Sequence, residues 1–207
     1  MCSSDLLGAC ALLGACSVGR EPEKRPVNNY LADARDLVNV RRIMVLPFAE
    51  EPGVVVEGTQ IRDAYISELQ KLRRFEIVPL PASAHEVAQL NQSARSGQLS
   101  TDAFIQLCQR YSVDGIVIGT VTAWRAYLPP QLGMRTQLVS AHNGAVVWAV
   151  DAIYDSADRS VVSDLRHYFA HMQANDGNEH GWQLNMIAPA YFARYVSHRF
   201  VDTWSDE

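Results

Sequence analysis

The chain has no apolar run of the roughly 20 residues that a membrane-crossing helix needs, since its most apolar stretch, Leu6 to Ala15, is far shorter. It has no excess of base either. Its 18 Lys and Arg stand against 23 Asp and Glu, a net charge of −5, so the basic patch of a nucleic-acid binder is not expected. There is no Gly-x-Ser-x-Gly elbow, no Walker loop and no dinucleotide glycine fingerprint. Cysteine is scarce: of four, Cys2, Cys10 and Cys16 fall near the start, which leaves Cys108 alone in the remainder. A lone thiol forms no internal disulfide. At an apolar helical position beside Phe104 and Ile105, it reads as a small buried hydrophobe rather than a nucleophile.

What is present begins at that same end. The apolar run closes on Leu13-Gly14-Ala15-Cys16 and is followed by Arg20-Glu21-Pro22-Glu23-Lys24-Arg25-Pro26, a composition that does not pack into a core. An apolar core ending in small residues is an export signal, and a cysteine just after the cut makes it the lipobox of a bacterial lipoprotein. Residues 1–15 therefore read as the signal peptide, Cys16 as the lipidated residue (palmitate being a typical acyl chain), and residues 16–30 as a flexible linker. Leu7-Gly8-Ala9-Cys10 is a second copy, with too little apolar chain before it, so Cys16 is preferred to Cys10. Met1-Cys2-Ser3-Ser4-Asp5 lacks the positive charge of a signal's first segment and looks like translated adapter sequence, so the start is expected to be artefactual. Ser17 rather than Asp after Cys16 favours the periplasmic face of the outer membrane.

Residues 31–207 are expected to form a single domain with a helical C-terminal part. Arg42 to Phe48 is a near-continuous apolar run, as in a strand covered on both faces. Ile61, Tyr65, Leu69 and Leu72 recur at helical spacing, with Arg62, Glu68 and Lys71 facing away. Phe75 to Val78 is a strand ended by prolines, and a short helix over 84–90 precedes one capped by Ser100 or Thr101 and running to Tyr111. Gly115 to Tyr127 is a long strand. Gly133 to Ser140 and Ala145 to Tyr154 pair as a hairpin across Asn143-Gly144, a dipeptide that predicts a two-residue turn with positive φ. A helix capped by Ser156 or Asp158 reaches His171, and another opens at Pro189 with Phe192, Val196, Phe200 and Trp204 as its apolar face. The fold class is α/β: a layered mixed sheet of about five strands packed with helices, in the order β-α-β-α-α-β-β-β-α-α.

Certain words within this order carry a resemblance. Ile43-Met44-Val45-Leu46-Pro47-Phe48, Arg74-Phe75-Glu76-Ile77-Val78, Val113-Asp114-Gly115-Ile116-Val117-Ile118-Gly119-Thr120-Val121, and Gln137-Leu138-Val139-Ser140 with Asn143-Gly144-Ala145-Val146-Val147-Trp148-Ala149 span about half the chain. The chain resembles a family of envelope lipoprotein domains that includes the curli-secretion lipoprotein, the penicillin-binding-protein activator lipoprotein B and the N-terminal domain of TolB. The resemblance implies a lipid-anchored periplasmic protein that works by protein–protein contact, without catalysis and without a cofactor. Its partner would be another envelope protein, and its oligomeric state stays open. Channel members carry long extra hairpins whose strands build a barrel. Here only Leu128 to Leu132 separates the third and fourth strands, so the helper branch is the better match, with a secretion-channel subunit as the alternative.

Candidate chemistry is sparse. His167 and His171 lie four apart on a helix with His180 nearby, a spacing that can share zinc. The position after the first histidine is Tyr168, however, not the Glu of the metalloprotease signature, so surface histidines are favoured and no metal is assigned. A metal-dependent enzyme using the His167/His171/His180 region is the remaining alternative. Asp151, Asp155 and Asp158 do not follow calcium-loop spacing and are explained by helix capping. Trp124, Tyr127, Pro129 and Pro130 at a strand end form a candidate binding rim, or else the aromatic cover of a sheet edge.

Overall fold

The computed structural model describes residues 24–32, 34–56, 58–80, 101–173 and 181–204. Cys10, Cys16, His180 and the helix expected over 84–90 lie outside them. Among the described residues seven strands form one mixed sheet: β1 (Asn29–Leu31), β2 (Arg42–Val45), β3 (Ala49–Glu50), β4 (Glu76–Val78), β5 (Gly115–Arg125), β6 (Gln131–Ser140) and β7 (Val146–Asp155). The order across it is β1-β7-β6-β5-β2-β4, with β3 also on β5. β2 lies parallel to β4 and β5, whereas β5, β6 and β7 run antiparallel. The helices are α1 (Ala34–Asn39), α2 (Gly58–Lys71), α3 (Thr101–Tyr111), α4 (Arg159–Tyr168), α5 (Leu184–Ile187) and α6 (Pro189–Asp202).

The unbroken apolar run of β2 has the cause expected of it. Ile43 and Val45 enter a core shared with α2, α4 and α6, while Met44 and Leu46 enter a second core with Phe104 and Cys108 of α3. A strand covered on both faces cannot alternate. Pro47 interrupts it, having no N–H to give the sheet, and the chain resumes along β5 as β3, with Ala49 opposite Thr120. Phe48, between them, lays its ring over Gly119, where a Cβ would come within 2.3 Å of it. Asp114 fixes the start of β5 by accepting from the amides of Arg41 and Arg42 at 2.9 and 2.8 Å.

Two strands, β1 and β3, join the five expected ones. β1 pairs antiparallel with β7. Two of its three residues, Asn29 and Tyr30, fall in the stretch 16–30 read as linker, whose polar composition carries no strand pattern. The β6–β7 turn also differs from expectation. Gly144 has φ 69°, but Asn143 is not at positive φ, and Gly144 N–H donates to the Ser140 carbonyl, so the loop is longer than two residues. Side chains explain this: Asn143 Oδ1 accepts from Ala145 N and Ser140 Oγ from His142 N, and such local bonds offer the backbone an alternative to the tight turn.

Asp158 caps α4 through Ser160 N at 2.8 Å, and the helix passes into a π turn over Phe169–Gln173. α6 starts on Pro189 as expected and ends at Asp202. Trp204 therefore lies just past the helix, its ring 4.5 Å from that of Trp148 and tilted by 48°, and edge-on to Phe75 at 5.0 Å. Trp148 is fully buried and donates to Thr203 Oγ1 at 3.1 Å. Among the described residues no helix is long and apolar enough to cross a membrane.

Candidate functional site

Two places gather unusual side chains. The first is a cavity of about 300 Å³ between α2, α4 and α6, open to solvent and bordered by Lys24. Its floor is charged. Asp164 of α4 is buried and accepts three bonds: from Tyr195 Oη at 2.7 Å, from Arg199 Nε at 2.9 Å, and from the backbone N–H of Arg25 at 3.0 Å. Arg199 also donates to Asp202 at 2.6 Å and to the Arg25 carbonyl. Lys24 closes on Asp202 at 2.6 Å. Two residues of the segment that enters the domain are thus fixed to two helices by a buried ion cluster.

The electrostatics follow from burial and pairing. Burial alone would lower the Arg199 guanidinium, but Asp164, Tyr154 and Asp202 outweigh it and hold it above its ordinary value. Burial first, then the Asp164 carboxylate, push the Tyr195 phenol far upward, so it serves Asp164 as a proton donor. Burial also raises Tyr154, to about 12.

Glu68 adds the opposite wall. It was expected to face away from the core, but it is 1% exposed. It falls between Tyr65 and Leu69 on the helical turn, on the side where α6 crosses. Lys71 donates to its Oε1 at 2.6 Å, and His198 Nδ1 stands 3.4 Å from Oε2. Burial pushes this carboxyl up, yet the bonds and charges of His198 and Lys71 prevail and leave it below its usual range.

His167 and His171 reach the same cavity. Their rings are 4.1 Å apart and tilted by 30°, and His171 Nδ1 lies 2.9 Å from the His167 carbonyl. With that carbonyl as acceptor, Nδ1 carries the proton in the neutral ring. Among the described residues no three His, Cys, Asp or Glu side chains converge as a metal centre would require. The aspartates 151, 155 and 158 are separated by their roles: Asp151 pairs with Arg135, Asp155 with Arg125, and Asp158 caps α4. Cys108 is buried, and burial pushes its thiol up to about 11.

The second place is the tip between β5 and β6. Of the candidate rim, Tyr127 is 75% exposed, with Leu128 beside it at 59%. Pro129 is exposed, Pro130 is buried, and Trp124 is partly buried against the main core. The tip is braced: Arg125 donates to the Pro129 carbonyl and, at 3.0 Å, to Asp155, while Ser156 N–H donates to the Pro130 carbonyl. Sequence reasoning found Tyr127 and Pro129 from composition. It missed Leu128 as part of the rim, set Glu68 on the outer side of its helix, and missed Asp164 and Arg199 altogether. The one available signal was that acids and an arginine occupy helical faces otherwise filled by apolar residues.

No protein-family profile matches the chain, and no curated protein matches it. Solved structures do. The chain is similar to the PelC dodecamer from Paraburkholderia phytofirmans, with 16% identity, 67% of this chain and 89% of that chain covered, and a TM-score of 0.45. It is similar to lipoprotein GNA1162 from Neisseria meningitidis, with 18% identity, 66% and 99% covered, and a TM-score of 0.42. It is also similar to the LpoB C-terminal domain from Escherichia coli, with 15% identity, 55% and 81% covered, and a TM-score of 0.38. The lipoprotein B domain named from the strand words is thus among the proteins found by structure.

Proposed function

We propose that the protein is a lipid-anchored binding protein of the bacterial envelope, held through Cys16 at the periplasmic face of the outer membrane. It performs no catalysis and docks an envelope protein on the tip between β5 and β6. The observation that carries the reading is the pairing of exposure with bracing at that tip. Tyr127 and Leu128 present an aromatic and an aliphatic side chain to solvent, while Arg125, Asp155 and Ser156 hold the backbone beneath them. An apolar anchor that is already ordered loses little entropy on binding, which is what makes such residues energetic centres of interfaces. The lipobox supplies the anchor.

The test is site-specific photocrosslinking in intact cells, with the crosslinker at position 127 and, as a control, at Arg135 on the exposed part of the sheet. A discrete adduct with one envelope protein at 127, absent at 135, is expected. Equal or no adducts at the two positions remove the docking assignment. Acyl labelling of the Cys16→Ser chain tests the anchor separately.

A further inference from the structure

The cavity between α2, α4 and α6 is not used by a docking tip at the end of the β5–β6 hairpin, yet two lysines stand at its mouth. Inside, the Glu68 and Asp164 side chains, 0% and 1% exposed, face His198 and Arg199, at 17% and 4%. At the mouth, the side chains of Lys24 and Lys71 are 46% and 49% exposed. An ammonium group has three donors. Lys24 spends one on Asp202 and Lys71 one on Glu68, so both keep donors for a group arriving from solvent. Such a group meets the two ammonium groups at the mouth, while the interior already holds its own pairs, which suits an anion that stays at the surface.

The route of the chain places this mouth. Lys24 is eight residues from Cys16, a contour of at most about 28 Å at ~3.5 Å per residue. A domain of this size measures on the order of 40 Å across. A tether shorter than the body it holds keeps the face carrying Lys24 on the side of the membrane. We propose that the mouth formed by Lys24 and Lys71 takes the phosphate of an anionic phospholipid headgroup in the leaflet that holds the anchor. Lysines held beside such a surface add an electrostatic attraction to the hold of the lipid anchor.

The inference rests on anchoring at Cys16 for the position of the face, so it is tested on the full chain without the anchor, carrying Cys10→Ser and Cys16→Ser. Failure of acylation and failure of headgroup binding then read separately. Cosedimentation is measured with phosphatidylcholine vesicles and with vesicles containing phosphatidylglycerol. Binding is expected only with the anionic lipid. The Lys24→Gln/Lys71→Gln protein should bind about twenty-fivefold more weakly, at about fivefold for each charge removed. Lys24→Arg/Lys71→Arg should restore binding and so separate lost charge from lost fold, and Arg135→Gln, on the opposite face of the sheet, should bind as the parent does. No binding to anionic vesicles, or an equal loss in Arg135→Gln, overturns the proposal. So does release by millimolar inorganic phosphate at constant ionic strength, which would reassign the mouth to a free phosphate.

Discussion

Replacing Asp164 by alanine should be among the most damaging single changes in the domain, and its cost can be worked from the structure. The substitution leaves Arg199, whose side chain is 4% exposed, without its main counter-charge. It also strands the Tyr195 hydroxyl and the Arg25 amide, both of which donate to Asp164. Breaking one partner of a buried ion pair costs about 3–5 kcal/mol. In a domain of this size each kcal/mol moves Tm by about 2–4 °C, so a fall of about 6–20 °C is expected. Circular dichroism during heating measures it. Asp164→Leu combined with Arg199→Met removes both charges together and should recover most of the loss, because the penalty lies in the orphaned charge more than in the missing attraction. The reasoning is refuted if Asp164→Ala melts within about 2 °C of the parent, under 1 kcal/mol, or if the double variant is worse than either single one.

Gly144→Val places a β-branched residue at φ 69° and should cost about 1–3 kcal/mol, read as a lower urea midpoint with an unchanged slope. Cys108, its thiol pushed up to about 11 by burial, should resist alkylation at pH 8 in a chain lacking the other cysteines and react once denatured; rapid native labelling would place it at the surface. Glu68 and Asp202 have carboxyls held below their ordinary values by Lys71 and His198, and by Lys24, Arg199 and His198, against the opposing effect of burial. Their stabilisation is present above the unfolded values, about 4.3 and 3.9, and is lost as pH falls through the lowered native ones. The urea midpoint should therefore hold as pH falls to about 5 and drop below that, and Glu68→Gln should flatten the drop.

The elements read well from sequence are those whose burial is written locally. The run Ile43 to Leu46 lacks alternation because both faces are covered, and Ile61, Tyr65 and Leu69 keep helical spacing because one face meets the core. Gly119 is explained by a single close neighbour, Phe48. The charge cluster was not legible for the converse reason. Asp164 is 35 residues from Arg199 and 139 from Arg25, and nothing along the chain encodes those encounters. Glu68 was misplaced because it sits at the margin of its helix's apolar stripe, where only the crossing of α6 decides which side it faces. β1 escaped because three residues at a sheet edge are too few for any period to emerge.

The seating of Lys24 and Arg25 bears on how the domain would carry force. Were the chain held at Cys16 as proposed and drawn away from a bound partner, the pull would enter the domain along the chain at Lys24. It meets the charge-assisted bonds to Asp164, Arg199 and Asp202 before it reaches β1. The load is thereby divided between α4 and α6, two helices rooted in the main core, and the three-residue pairing of β1 with β7 lies downstream of the strain. A strand end pulled directly would unzip one hydrogen bond at a time. Here the outermost strand is spared until the salt-bridged clasp lets go.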